Sequence, residues 1–139
     1  MKKLLVVPVA KSLFAFSALA LIAGCATTLQ KSSDVYKTKI DENNQVLVVT
    51  RDNKACADTS ADPQKCPTVF YINDTNVGSY LANESNEYYL APGQYEFQVS
   101  NCQGRCSTYD LKMTITKEIA PTNLLLSIDL KGKPFIIKK

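Results

Sequence analysis

The chain has 139 residues, enough for one domain, and carries 16 Lys+Arg against 13 Asp+Glu with no histidine. The missing histidine excludes Ser-His-Asp and Cys-His nucleophilic sites and most catalytic zinc centres. A formal net charge of only +3, with no arginine-rich stripe, argues against nucleic acid as a partner.

Lys2 and Lys3 give a positive start, and an apolar stretch interrupted by Lys11 continues from Leu13 to Ala23. A charged n-region, an h-region of this length and small residues before a cut site predict a secretory signal peptide over residues 1–24. The run is too short to span a bilayer as a mature helix. Leu21-Ile22-Ala23-Gly24-Cys25 resembles the lipobox of bacterial lipoproteins. That resemblance implies cleavage before Cys25, a diacylglyceryl thioether on its sulfur and usually an acylated amino terminus. Two or three such palmitate-like chains make a stable anchor. Ala26, not Asp, follows the lipidated position. By likeness to sorted lipoproteins of two-membrane bacteria, this implies the outer membrane, facing the periplasm. The alternative is an ordinary secretory leader with a chance cysteine. Without Lys2, Lys3 and Lys11, acidic and basic residues are equal in number, so the basicity belongs to targeting.

Residues 25–44 are expected to be the lipid-bearing cysteine and a tether of Thr, Ser, Lys, Asp and Gln without apolar period. Fully extended, it could reach on the order of 60 Å at ~3.3 Å per residue, although part of it can pack as an edge strand. The domain proper is expected over 45–139. A core this small benefits from covalent staples. Cys56, Cys66, Cys102 and Cys106 supply them in an exported, oxidising setting. Three pairings exist. Cys56–Cys66 and Cys102–Cys106 are favoured because each brackets a polar, turn-rich loop; the crossed pairing stays open. A four-thiolate zinc site is the rival, but its cysteines are usually two to four apart in both halves, unlike Cys56 and Cys66.

From Gln45 the chain reads as short strands. Gln45–Arg51 holds Val46-Leu47-Val48-Val49, apolar on both faces, which suits a central strand. Thr68–Ile72 is β-branched and aromatic, and Asn73-Asp74-Thr75-Asn76 reads as a hairpin turn. Val77–Leu81 then returns antiparallel, and Glu87–Leu90 is a further strand. In Ala91-Pro92-Gly93-Gln94, Pro at the second and Gly at the third position predict a type II turn. Alternation is plain in Tyr95–Ser100, in Leu111–Thr116 and in Leu124–Leu130, where Ser127 and Asp129 are expected outward. Lys131-Gly132-Lys133-Pro134 turns into a last strand, Phe135–Lys138. Period two with a turn signal every eight to twelve residues predicts an all-β domain. The expected architecture is a small, disulfide-stapled antiparallel β-sandwich of about seven to eight strands.

The stretch Phe70-Tyr71-Ile72-Asn73-Asp74-Thr75-Asn76-Val77-Gly78, with Leu90-Ala91-Pro92-Gly93-Gln94-Tyr95-Glu96-Phe97 after it, resembles small PEGA-type β-domains. It resembles more closely the lipoprotein domain called DUF2846. In those domains a strand ends in an Asp-Gly-type hairpin, and a Val-Gly step and a Pro-Gly turn precede an alternating strand. The likeness implies a β-sandwich on an envelope protein and brings no catalytic residues. The four domain cysteines are not part of that pattern.

Little points to chemistry. A Ser-x-x-Lys arrangement does not occur. Glu84 and Glu87 could do acid–base work on glycans, but beside Asn83, Ser85 and Asn86 they read as solvated turn residues. Asp74-Thr75-Asn76-Val77-Gly78 faintly echoes a calcium loop, yet Gly78 stands where an oxygen ligand belongs. No metal or cofactor is therefore expected beyond the lipid on Cys25. Tyrosine is in surplus, and tyrosine suits interfaces as well as pleated surfaces. Adjacent Tyr88 and Tyr89 must face opposite ways in a strand, so at least one can meet a partner. In Asn101-Cys102-Gln103-Gly104-Arg105-Cys106 a disulfide would present Gln103 and Arg105 rigidly, lowering the entropy cost of binding. The expected function is a non-enzymatic, membrane-anchored envelope lipoprotein that binds another envelope component, a protein first of all. The alternative is an inhibitor or immunity lipoprotein that protects against a lytic enzyme or toxin.

Overall fold

The computed structural model describes residues 31–54, 67–103 and 105–139, with the backbone alone for 102, 103, 105 and 106. The predicted signal peptide, Cys25, Cys56 and Cys66 lie outside the described residues. Eight strands follow in chain order: β1 Gln45–Arg51, β2 Thr68–Ile72, β3 Thr75–Tyr80, β4 Ser85–Leu90, β5 Gly93–Gln103, β6 Arg105–Ile115, β7 Thr122–Ile128 and β8 Pro134–Lys138. They form two four-stranded sheets, β4-β1-β7-β8 and β3-β2-β5-β6. The domain is the expected all-β sandwich, mostly antiparallel. β1 and β7 depart from the antiparallel expectation and run parallel, with Leu47 opposite Thr122 and Arg51 opposite Leu126.

The alternating residues meet between the sheets. Leu47, Val49, Tyr88, Leu90, Leu124 and Leu126 come from one layer; Phe70, Ile72, Val77, Tyr80, Phe97 and Val99 come from the other. Phe70 is the hub. It stacks on Phe97 at 5.9 Å, tilts against Tyr88 at 5.9 Å and meets the edge of Tyr80 at 6.4 Å. Offset and edge-to-face ring pairs add about 0.5–1.5 kcal/mol each beyond the area they bury.

The turns refine the sequence reading. Asn73 and Asp74 both take positive φ, 46° and 61°, and Ile72 pairs with Thr75. The hairpin is thus a two-residue loop whose twist matches the strands, and Thr75 and Asn76 belong to β3. The expected type II turn at Ala91–Gln94 does not form: Gly93 lacks positive φ and opens β5. The reason is topological, because β4 and β5 lie in different sheets and Ala91-Pro92 carries the chain across the layers. The alternation from Leu124 also stops early, at Ile128. The Asp129 carboxylate accepts the amides of Lys131 and Lys133, at 2.8 and 2.9 Å, and turns the chain. Leu130 is left fully exposed in that turn, whereas Ser127, expected outward, is buried and donates to the Asp52 carboxylate.

Segment 31–44 lies against the domain. The Ser33 amide donates to the Asn76 carbonyl at 2.7 Å, on the edge of β3. The Tyr36 carbonyl accepts the Tyr89 amide at 2.8 Å, on the edge of β4. Tyr36 packs on the core, and the chain turns at Asp41, whose carboxylate caps the Asn43 amide, into β1. One short stretch therefore straddles both sheets on their β3–β4 side.

Gly78 is where the core is tightest. A Cβ there would stand 2.6 Å from the Tyr88 hydroxyl and 3.1 Å from the Tyr80 ring. Gly78→Ala is expected to cost about 1–3 kcal/mol, the usual range for overpacking. Tyr88→Phe in the same chain should recover part of that loss by vacating the space. Denaturant midpoints of the single and double variants check this; an unchanged midpoint for Gly78→Ala would refute the packing.

Candidate functional site

The strand registers give the sandwich two distinct ends. At the near end lie Gln45 of β1, Leu90 of β4, Gly93 of β5, Ile115 of β6, the β2–β3 hairpin and the connection from β6 to β7. Segment 31–44 joins the body here. At the far end lie Arg51, Thr68, Tyr80, the β5–β6 hairpin and the turn between β7 and β8. β5 continues past Asn101, which pairs with the first residue of β2, so the hairpin extends beyond the start of β2.

That hairpin carries four of the residues singled out by sequence. Cys102 and Cys106 stand directly opposite each other, and Gln103 opposite Arg105, across β5 and β6. Directly opposed residues in an antiparallel pair have Cα atoms roughly 4.5–5.5 Å apart, within the span a disulfide accepts. The two tyrosines part company. Tyr89 lies half-exposed on the outer face of β4. Tyr88 is fully buried, which corrects the expectation that it could meet a partner. The alternation of β4 turns it inward, and its hydroxyl finds its partners in the core.

Those partners cross the layers. The Tyr88 hydroxyl donates to the Val77 carbonyl at 3.2 Å and lies 2.8 Å from the Tyr80 hydroxyl. With its single proton committed to Val77, Tyr88 accepts from Tyr80. Burial pushes both phenols above their ordinary range, Tyr80 furthest. Above this pair sits Arg51, the end of β1, with 1% of its surface exposed. Its guanidinium donates to the Tyr80 carbonyl at 3.0 Å, from one sheet to the other, and reaches the Lys54 carbonyl at 3.4 Å. Burial lowers its pKa, opposed by the charges of Asp52 and Glu84. The Glu84 carboxylate accepts the Leu81 amide at 2.7 Å, closing the turn between β3 and β4. Glu84 is thus a turn residue, and Glu87 faces outward from β4 into a different surface. The Asn101 side-chain Nδ2 donates to the Gly132 carbonyl at 2.9 Å and ties the β7–β8 turn to β5.

The near end carries an open cleft of about 630 Å³ on the outer face of the β4-β1-β7-β8 sheet. Val46 and Val48 form its floor, and Ile119, Ala120 and Pro121 one wall. Lys39, Glu42, Glu87, Lys117 and Glu118 stand around it. The walls are tied together: Lys117 donates to the Asn43 side chain at 3.0 Å, and the Glu118 amide to the Gln45 side chain at 2.7 Å. Ile119 and Ile40 are almost wholly in solvent, at 108% and 82% exposure. An apolar floor with a mixed-charge rim suits contact rather than covalent chemistry. A shallower hollow of about 450 Å³ lies on the other sheet between Asn73, Tyr95 and Lys112. Sequence reading missed the cleft. Its visible signals were the apolar Val46 and Val48 on the outer face of β1 and Ile119-Ala120-Pro121, apolar residues in a connection that is otherwise polar.

Among the described residues, no group of three or more Cys, Asp or Glu is arranged to hold a metal ion, and no helix is long and apolar enough to cross a membrane. Compared with protein-family models, with curated proteins and with solved structures, the chain matches none.

The phenol pair makes a prediction. An unfolded tyrosine ionises near pH 10, and the folded pair holds its protons above that. Their contribution to stability is therefore complete below about pH 10 and declines above it, because the unfolded chain releases protons that the folded one keeps. Thermal midpoints should fall on the alkaline side, and less steeply in a Tyr80→Phe, Tyr88→Phe chain. Equal slopes in the two chains would refute this account.

Proposed function

We propose that the chain is a lipid-anchored envelope lipoprotein whose sandwich is a non-enzymatic binding module for another envelope protein. Cys25 carries the lipid, and the module stands at the outer membrane facing the periplasm. One observation supports the reading most: the two ends of the sandwich differ. The stretch leading back to Cys25 joins at the near end, tied by Ser33 and Tyr36, and the paired-cysteine hairpin of β5 and β6 leaves from the far end. An anchor on one side and a projecting hairpin on the other is the polarity that a tethered receptor or accessory subunit needs. The hairpin, with Gln103 and Arg105, is the contact with the partner, and a Cys102–Cys106 disulfide would keep it in one shape, which favours affinity by reducing the entropy lost on binding.

The projecting hairpin also favours a second reading. A narrow, stapled loop fits a cleft, as an inhibitor or immunity lipoprotein that blocks a lytic enzyme would require. The two readings divide on deletion: an inhibitor's loss sensitises cells only when the enzyme is supplied, whereas an accessory module's loss alters the envelope unchallenged.

Two outcomes test the proposal. Cys25→Ser should abolish fatty-acid labelling and release the protein from membranes washed with carbonate; retention with unchanged processing sinks the anchor. A photo-crosslinker at residue 103 should capture one envelope protein, and Arg105→Ala should reduce that capture by about five-fold or more, equivalent to ~1 kcal/mol or more. Equal capture from residue 112, on the side of β6, would sink the hairpin as the contact.

A further inference from the structure

We infer that the near end docks on the bilayer surface, with Ile119 and Ile40 entering the interface and the valine-floored cleft facing the lipid. This rests on the lipid-anchor reading of Cys25. The length of chain between the anchor and the body decides the occupant. Among the described residues, the first tie to the sandwich is at Ser33, eight residues after Cys25. Extended, eight residues span about 26 Å, so the body cannot stand off by the ~60 Å that a free stretch to residue 44 would allow. The tie is on Asn76, next to the first residue of β3 and hence at the near end. From Ser33 the chain reaches Lys39, on the cleft wall, in six residues, or about 20 Å at most. The anchor and the cleft therefore share one end, within comparable reach.

The composition of that end fits the interface between headgroups and acyl chains. Ile119 and Ile40 are the apolar tips, presented from connecting segments rather than from strand faces. Lys39 and Lys117 flank them, and long lysine stems lie along apolar surface while their charge stays in the headgroups. Glu42, Glu87 and Glu118 line the same cleft, so attraction to acidic lipid is cancelled and the contact is apolar in origin. At the far end Leu130 is equally exposed but lies in the β7–β8 turn, away from the tie. Docking by the near end also turns the β5–β6 hairpin outward from the membrane, where a soluble or neighbouring partner can reach it.

The chain contains no tryptophan, so a single one reports position without background. The full-length, lipidated protein is reconstituted in phosphatidylcholine vesicles whose acyl chains carry bromine. Ile119→Trp and Ile40→Trp should each give blue-shifted emission quenched by the bromines, and Leu130→Trp should give unquenched emission typical of water. The quenching should persist at high salt and should not require phosphatidylglycerol. Ile119→Asp should abolish the quenching reported by Ile40→Trp while the protein still sediments with the vesicles. Sedimentation with positions 119 and 40 as water-exposed as 130 overturns the docking and leaves the anchor standing. Failure to acquire lipid and to sediment overturns the anchor reading, and the docking with it. Quenching lost at high salt overturns the apolar contact.

Discussion

A polar seam inside an apolar core holds the two sheets in one relation. Between the layers, the Tyr88 hydroxyl from one sheet is spent on the Val77 carbonyl of the other, and Tyr80 donates to Tyr88 in turn. Arg51 adds a charged bond from β1 to the Tyr80 carbonyl. Hydrophobic burial alone is non-directional and lets layers slide. A buried hydroxyl that loses its partner forfeits about 1–3 kcal/mol, so a slide of one residue here is costly. Gly78 is the counterpart of that requirement, because only a residue without Cβ leaves room for the Tyr88 oxygen.

Several features of the fold were legible because they are local. Period-two alternation places most of the strands, and Asn73-Asp74 marks its hairpin through a tolerance of positive φ. Features that depend on which sheet a strand joins were not. Ala91-Pro92-Gly93 carries turn chemistry, yet a step between layers uses the same residues without positive φ at Gly93. The parallel pairing of β1 with β7 joins segments more than seventy residues apart, and no short window contains it. Leu130 continues the alternation of β7 on paper, but the Asp129 carboxylate captures two amides and ends the strand first.

The candidate surfaces were legible to the same degree. Adjacent Tyr88 and Tyr89 must part, and the alternation of β4 decides which goes inward. Val46 and Val48 were visible as an outward apolar pair on β1. They indicated a central strand, which β1 is, but apolarity on both faces had a second meaning: its outer face is the floor of an open cleft. Tyr36 and Ser33 gave no signal in a stretch that reads as tether, because two backbone hydrogen bonds to strand edges depend on shape and leave no mark in composition.

Segment 33–36 has a consequence for how the molecule can meet others. Exposed strand edges offer unpaired amides and carbonyls to any passing chain. On one side of the sandwich, this stretch takes the Asn76 carbonyl and the Tyr89 amide, blunting β3 and β4 together. On the other side β6 and β8 run close to each other across the layers, and β6 carries Asp110 and Lys112 in exposed positions along its outer strand. With the β3–β4 side covered, edge pairing there is a poor route to a partner, which favours the ends and outer faces for recognition. A membrane anchor occupying the near end would leave the far end as the natural meeting place. On the proposed lipid anchor, the same few hydrogen bonds that cover these strand edges would also fix which way the protein points.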